Sequence, residues 1–421
     1  MTTIRTLVVC HYFPPEVGAP QARISESARA WAGCGEDVTV VTGLPNYPSG
    51  IVPDEYRRRR RRRERVDGYR VVRRWMYTTR NEGFLKRTLS HVSFAVSAAA
   101  TPKRQTGPAD IVMVSSPPFF AIPGAWLLAR RHRAAFVVEV RDLWPDILRD
   151  LGVLTDERIL RALEAIELWC YRQADAVVTV TEGFRADVIA RGIPAEKVHA
   201  IPNGVDLERF GSPPPPDPDL RRRLGAGDDD VLVLYLGTLG MSQALSTLVD
   251  AGAQLSTDQG THRVHVAIVG DGAERELLAE RIAGLGGDAV SLHPSVGRED
   301  VPAVMAAADV CVVPLRDVPL FAKTIPSKLF ELFAAERCVV GCLRGEAAAI
   351  VDAAGGVCVT PEDPAALAGV LRDLADDPTR RRQMGVQARR YVAGAYDRAV
   401  LAERYRNLLH ASVDRRTGGS S

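Results

Sequence analysis

The residues best suited to chemistry lie in one short stretch, Thr324-Ile-Pro-Ser-Lys-Leu-Phe-Glu331, with Lys323 directly before it. Pro326 and Ser327 are helix-start residues, so the stretch predicts a polar loop, a helix opening at Pro326-Ser327 and a buried strand over 338–342. The free N–H groups and positive dipole end of a helix start favour a phosphate. Lys323 and Lys328 would add point charges to that phosphate site. Glu331 follows Ser327 by four residues and shares its helix face, one turn deeper. A carboxylate there can accept hydrogen bonds from the two vicinal hydroxyls of a ribose. A phosphate grip and a diol grip one turn apart would hold a nucleotide diphosphate.

The surrounding elements must position such a grip. The chain has 421 residues, a length that suits two domains better than one. Short apolar runs at 7–10, 38–42, 70–73, 111–114, 136–140, 176–180 and 199–201 alternate with helix-length segments. That is the pattern of a parallel sheet covered on both faces. Residues 206–230 contain Gly211-Ser-Pro-Pro-Pro-Pro-Asp-Pro218 and three successive aspartates, which reads as a linker opening a second domain. The pattern restarts at 231–237 and continues at 264–270, 290–292, 310–315, 338–342 and 357–360. The expected fold class is α/β, two tandem Rossmann-like doubly wound domains with a ligand cleft between the carboxyl ends of their sheets. The expected boundaries are 1–205 for the acceptor-side domain, 206–385 for the donor domain, 386–412 for a helix returning to the first domain and 413–421 for a disordered tail. Asp377 with Pro378 is the expected cap and first turn of the terminal helical segment.

Composition excludes several classes. Lys and Arg total 54 against 52 Asp and Glu, so no global charge calls for nucleic acid. The seven scattered cysteines read as reduced, mostly buried thiols of a cytoplasmic protein, without the paired spacing of a zinc site. No run approaches the roughly 18 to 20 apolar residues of a membrane span. The first-strand loop, His11-Tyr-Phe-Pro-Pro-Glu16 and on to Gly18 and Arg23, lacks the three-glycine dinucleotide fingerprint, and no phosphate-loop motif indicates ATP hydrolysis. Gly18 would let backbone approach a ligand, and His11 is placed facing the cleft. Gly237-Thr-Leu-Gly240 is expected to turn backbone N–H groups toward a diphosphate. Gly270 and Gly272 mark a strand-to-helix turn, and Glu346 heads a loop overlooking the donor. Trp144 is expected at the cleft; Trp31, Trp75, Trp126 and Trp169 read as core or domain-wall residues.

Taken in order, these motifs resemble glycosyltransferase family 4, the retaining GT-B enzymes, over nearly the full length. The resemblance rests on the Gly18 loop, Val140-Arg-Asp-Leu-Trp-Pro145, Ala200-Ile-Pro-Asn-Gly-Val-Asp206 and Leu236-Gly-Thr-Leu-Gly240. It continues through Val269-Gly-Asp-Gly272, Ala308-Asp-Val310, the Glu331 helix and Gly355-Gly-Val-Cys-Val-Thr-Pro-Glu-Asp363. More narrowly, His11-Tyr-Phe-Pro-Pro-Glu, Arg141-Asp-Leu-Trp-Pro and Ile325-Pro-Ser-Lys look like bacterial polysaccharide enzymes similar to N-acetyl-L-fucosaminyl transferases. The resemblance implies that Glu331 is the ribose-binding member of a glutamate pair whose other member is replaced here by Lys323. The cations that the family usually places after the Leu236-Gly237 strand are absent from 238–244, so Lys323, Lys328 and the helix N-terminus are expected to take over that charge. Arg141 stands where a histidine is usual, leaving Asp142 as the adjoining carboxylate.

The implied reaction is metal-independent transfer of a sugar from a nucleotide diphosphate donor, a UDP-sugar, to a polyprenyl-diphosphate-linked or saccharide acceptor. Lys323, Lys328 and Asp142 are the expected catalytic groups; Glu331, Ser327, Pro326, Gly237, Thr238, Gly240, Gly270, Gly272 and Glu346 bind the donor. His11, Gly18, Arg23, Arg141 and Trp144 face the acceptor. A UDP-sugar 2-epimerase, an aglycone-modifying glycosyltransferase and a non-catalytic nucleotide-sugar-binding scaffold are the alternatives. Seven arginines in a row, from Arg57 to Arg63, and the basic amphipathic segment at 83–94 are expected to bring the enzyme to an anionic membrane surface. The alternative for the arginine run is a solvated loop.

Overall fold

The computed structural model describes the chain apart from residues 1–2, 17, 47–49, 58–61, 79–83, 151, 153, 211–212, 257–261 and 419–421. Most of the arginine run therefore lies outside the described residues. Two compact units emerge, residues 1–202 with 399–421 and residues 203–398.

The first unit is built on strands β1 (Arg5–Val9), β2 (Asp37–Gly43), β3 (Arg63–Val66), β4 (Tyr69–Arg74), β5 (Ile111–Ser116), β6 (Ala135–Val140), β7 (Ala176–Thr179) and β8 (Val198–Ala200). Their spatial order is β3-β4-β2-β1-β5-β6-β7-β8. All neighbours are parallel except β3 and β4. The Val- and Ile-rich composition of the inner strands follows from burial on both faces, as in β5 and β6, where every residue is buried. The β3–β4 hairpin departs from the all-parallel expectation. Its turn residues Asp67 and Gly68 both have positive φ, 46° and 88°, which suits a tight hairpin. The chemistry-bearing loops follow the carboxyl ends of β1, β5 and β6.

The second unit holds β9 (Val231–Leu236), β10 (Val264–Val269), β11 (Val290–His293), β12 (Val310–Pro314), β13 (Cys338–Cys342) and β14 (Val357–Val359). They form one parallel sheet in the order β11-β10-β9-β12-β13-β14. The segment read as a linker is folded into this unit. Asp217 caps helix Pro218–Arg223 through the Asp219 N–H, and Leu224 and Ala226 are buried. Arg221 of that helix donates to Asp309 at 2.9 Å and to the Asp230 carbonyl at 2.7 Å.

The C-terminal region also differs from expectation. Helix Pro378–Ala395, capped by Asp377, stays with the second unit, its Gly385 pressed so close to the Glu336 carbonyl that a Cβ would stand 2.1 Å away. The helix that returns is Arg398–Gly418. It buries Leu401, Tyr405 and Leu409 in the first unit's core, and its Ala402 carbonyl accepts from the Trp31 indole at 2.9 Å. The supposed tail is helical to Gly418 and pairs Arg416 with Asp175.

A buried ion pair ties these parts of the first unit together. Arg23 Nε donates to Glu139 at 2.9 Å, both side chains being almost fully buried. Arg23 also donates to the Ile201 and Pro202 carbonyls, at 2.9 and 2.7 Å. Removing one member of such a pair leaves an uncompensated buried charge, at a cost of about 3–5 kcal/mol. Arg23→Met should lower stability by about that much in urea unfolding monitored on the full chain, whereas Arg23→Met combined with Glu139→Leu should recover a large part of it.

Candidate active site

In the second unit the chemistry gathers at the carboxyl ends of β9, β10, β12 and β13. Tyr235, fully buried near the end of β9, fixes the next loop by donating its hydroxyl to the Thr238 carbonyl at 2.6 Å. Gly237 follows with φ +147°, a conformation L side chains rarely adopt. A Cβ there would stand 2.6 Å from Lys328 Nζ, so the glycine leaves room for the ammonium. Lys328 Nζ lies 4.0 Å from the centre of the Tyr235 ring, a cation–π contact that partly replaces lost water. Burial pulls the Lys328 ammonium down to about 7, opposed by Glu331 one turn along the helix.

The helix itself starts later than the sequence reading placed it. It runs Lys328–Ala334; Ser327 occupies the cap position in helical conformation and makes no side-chain cap bond. Pro326 precedes the helix, with its carbonyl accepting the Leu329 N–H at 3.0 Å. Lys323 ends a 3-10 turn, Phe321–Lys323, and Gly345 at the start of helix Gly345–Ala353 presses on that turn. A Cβ on Gly345 would stand 2.0 Å from the Ala322 carbonyl, which brings the Glu346 helix start against the Lys323 segment. Lys323, Ser327, Lys328, Glu331 and Glu346 are all half-buried.

The glycine loops do not present their amides as expected. Gly237 N–H donates to the Val269 carbonyl, Leu239 N–H to that of Asp271, and Gly240 N–H to the Gln243 side chain. Gly270 and Gly272 allow this cross-bonding, since Cβ atoms there would lie 1.9 Å from the Gly237 carbonyl and 2.2 Å from that of Leu239. Their own N–H groups go to His293 and Asp271. These glycine N–H groups are therefore committed within the unit.

In the first unit several expected acceptor residues are committed elsewhere. Arg23 is taken by Glu139 and the Ile201 and Pro202 carbonyls rather than by a ligand. His11 is buried, its ring set edge-on to Tyr12, His91 and Phe94 at 4.4, 5.0 and 4.9 Å. Burial, with His91 nearby, holds His11 well below the usual histidine range, so it is neutral. Gly18 is exposed and opens helix Ala19–Gly33, its carbonyl accepting from Ala22 at 3.0 Å. Arg141 spends donors on the Ser116 and Pro117 carbonyls, at 3.2 and 3.4 Å, and lies 3.9 Å from Glu139.

Asp142 is different. It is half-buried at the end of β6 and takes no hydrogen bond from any described residue. Burial raises its carboxyl group above the ordinary value, opposed by Arg141. Trp144, two residues on, is half-buried and stacks parallel to Phe119 at 6.1 Å. Sequence reasoning missed Tyr235 and Glu139. A tyrosine in a strand buried on both faces resembles any core aromatic, but a lone glutamate inside Ala135–Val140 is a visible anomaly.

Two parallel-sheet units with a catalytic-type loop cluster at the strand ends define the GT-B class of glycosyltransferase. Residues 18–204 match the family model described as a glycosyl transferase 4-like domain, and residues 230–377 match glycosyl transferases group 1. The chain belongs to these glycosyltransferase families, the two matches together spanning most of its length. It is 27% identical over 380 residues to WcaI of Escherichia coli K12, named for a glycosyl transferase role in colanic acid biosynthesis, covering 88% of this chain and 91% of that one. Among solved structures, Anabaena HepE in complex with UDP-glucose superposes with a TM-score of 0.70 at 16% identity, over 96% of this chain and 99% of that one. WaaG, a glycosyltransferase involved in lipopolysaccharide biosynthesis, gives 0.69 at 19% identity, over 98% and 100%.

The buried lysine yields a test of its own. Between pH 7 and about 10.5 the unfolded lysine keeps a proton that folded Lys328 gives up, so stability rises with pH across that window. Lys328→Met removes the penalty. The unliganded variant should melt above wild type at pH 6, and the gap should shrink as scans move toward pH 10.

Proposed function

We propose that the chain transfers a sugar from a nucleotide diphosphate donor, a UDP-sugar, to a lipid-linked or saccharide acceptor with retention at the anomeric carbon. The observation that carries this reading is Lys328, held over Gly237 and Tyr235 and one turn before Glu331. A half-buried ammonium whose proton affinity is depressed gains most when a dianionic group arrives, because the ligand replaces the water it lost. Glu331 would take the ribose hydroxyls, and Lys323 would add charge at the pyrophosphate or sugar. Support for the donor comes from the HepE complex with UDP-glucose, and for surface polysaccharide or glycolipid assembly from the names of WcaI and WaaG.

In the proposed step the bond between the anomeric carbon and the β-phosphate oxygen breaks, and the acceptor oxygen bonds to that carbon on the same face. The departing diphosphate receives the acceptor's proton. Negative charge growing on the phosphate is met by Lys328 and Lys323, so the chemistry we propose needs no metal ion. Asp142 would orient the acceptor hydroxyl or the donor sugar. The acceptor, when lipid-linked, would be met at the inner face of the cell membrane.

A thermal-shift panel of nucleotides and nucleotide sugars should show stabilisation by UDP and one UDP-sugar. Glu331→Ala should weaken that donor at least about tenfold, the loss expected for hydrogen bonds to a charged group. Lys323→Glu should weaken it as well. Wild-type affinity should be flat below pH 7 and fall above it, since free Lys328 then has no proton to offer the phosphate. UDP release that needs acceptor marks a transferase; donor consumption without acceptor would mark an epimerase, and binding with no turnover a scaffold. Stabilisation by no nucleotide overturns the reading.

A further inference from the structure

Among the described residues, thirteen large apolar side chains are exposed. Six of them, Leu89, Val96, Leu127, Ile159, Ile166 and Trp169, stand on three helices of the first unit, Phe84–Ala99, Ala121–His132 and Glu157–Gln173. These helices pack side by side in that order. The first two meet so closely that a Cβ on Gly124 would lie 2.7 Å from the Ala95 carbonyl. Their inner faces are already filled by residues such as Phe94, Ala98, Leu128 and Leu160, so the core does not require the outer six. Leu89 and Val96 are seven residues apart, as are Ile159 and Ile166, which aligns each pair along its helix. Trp126 and Trp169 join the second and third helices edge to face at 4.8 Å, with the Arg130 guanidinium 5.8 Å from the Trp126 ring. Trp75, also exposed, is tethered to the first helix through the Ser97 hydroxyl. Of the two placements expected from sequence, core or domain wall, Trp75 and Trp169 are thus not in the core.

Charge frames this apolar layer. From residue 84 to 133 there are seven Lys and Arg but a single acid, Asp110, and that acid is paired with Arg5. Lys86 and Arg87 lie at the start of the first helix. Lys103, Arg104, Arg130, Arg131 and Arg133 lie beyond its far end and at the end of the second, and all seven are exposed. The third helix is mixed in sign. Apolar side chains in the middle and long cationic ones at both ends match the boundary between acyl chains and anionic phosphates, where tryptophan also partitions.

We propose that the outer face of these three helices docks the protein on an anionic lipid bilayer. The surface differs from the arginine run at 57–63, and it deepens the lipid-linked acceptor reading, on which its purpose rests. Binding itself is measurable without transfer. In sedimentation with phosphatidylglycerol-containing vesicles, the wild type should partition strongly, and should do so weakly with pure phosphatidylcholine or in high salt. Leu127→Glu with Trp169→Glu should reduce partitioning at least tenfold, as should Leu89→Glu with Val96→Glu, while melting temperature and the UDP-induced shift stay unchanged. Unaltered partitioning of both double variants, or no partitioning of the wild type, overturns the proposal. So does a wild-type dimer in light scattering that the same variants dissolve without any vesicle binding, which would make this a face between copies. A wild type that shows the UDP shift but binds no vesicles sinks docking alone; one that binds vesicles but shows no UDP shift sinks the donor reading alone.

Discussion

The first unit depends on the buried Arg23–Glu139 pair. Two charges taken out of water are tolerated only when almost every donor and acceptor is met. Here Glu139 also accepts from Ser115 at 2.9 Å, and Arg23 spends its remaining donors on the last carbonyls before the chain leaves the unit, Ile201 and Pro202. Tyr405, on the helix that comes back, packs beside Arg23 at 5.9 Å and against Trp31 at 5.4 Å. A single ionic centre therefore fixes the first helix, two central strands, the point of exit and the point of return. Arg141 is drawn into the same centre, and Asp142 beside it takes no hydrogen bond from any described residue.

The second unit solves a related problem with the opposite sign. Its loop glycines spend their backbone N–H groups within the unit, Gly237 on the Val269 carbonyl and Gly270 on that of His293. What they create is space and rigidity: Gly237 lets Lys328 approach, and Tyr235, pinned to the Thr238 carbonyl, gives the ammonium a ring face in place of water. Under the proposed reading an arriving phosphate would gain most there, because ligand charge restores what burial removed. Lys323, on the segment before β13, would add its charge to the same arrangement.

Much of the fold was legible because parallel strands buried on both faces leave continuous Val- and Ile-rich runs, and every such run named from sequence became a strand. β3 was hidden because its residues, Arg63–Val66, carry alternating charge on an edge strand, where burial imposes no pattern. The linker reading failed at Asp217–Pro218, where proline and aspartate serve as a helix start instead of a break. Pro326 and Ser327 were read as a helix start and lie just outside one, since helix ends shift by a residue or two under tertiary packing. Arg23 could not be told from a ligand-facing arginine, because its partner is 116 residues away.

His11 and Lys328 show why residue type alone misplaces a site. His11 follows a central strand and Lys328 opens a helix, and burial lowers the proton affinity of both. Around His11 the neighbours are Tyr12, His91 and Phe94, and His91 is itself pushed down to about 4. Burial, with His91 adding to it, leaves that imidazole neutral. Around Lys328 stand a carboxylate one turn away, an aromatic face and a glycine that keeps the approach open. The first enclosure silences a titratable group, whereas the second holds it near neutrality with room for an anion. The difference lies in what the neighbours leave unoccupied, and no spacing rule in the sequence encodes it.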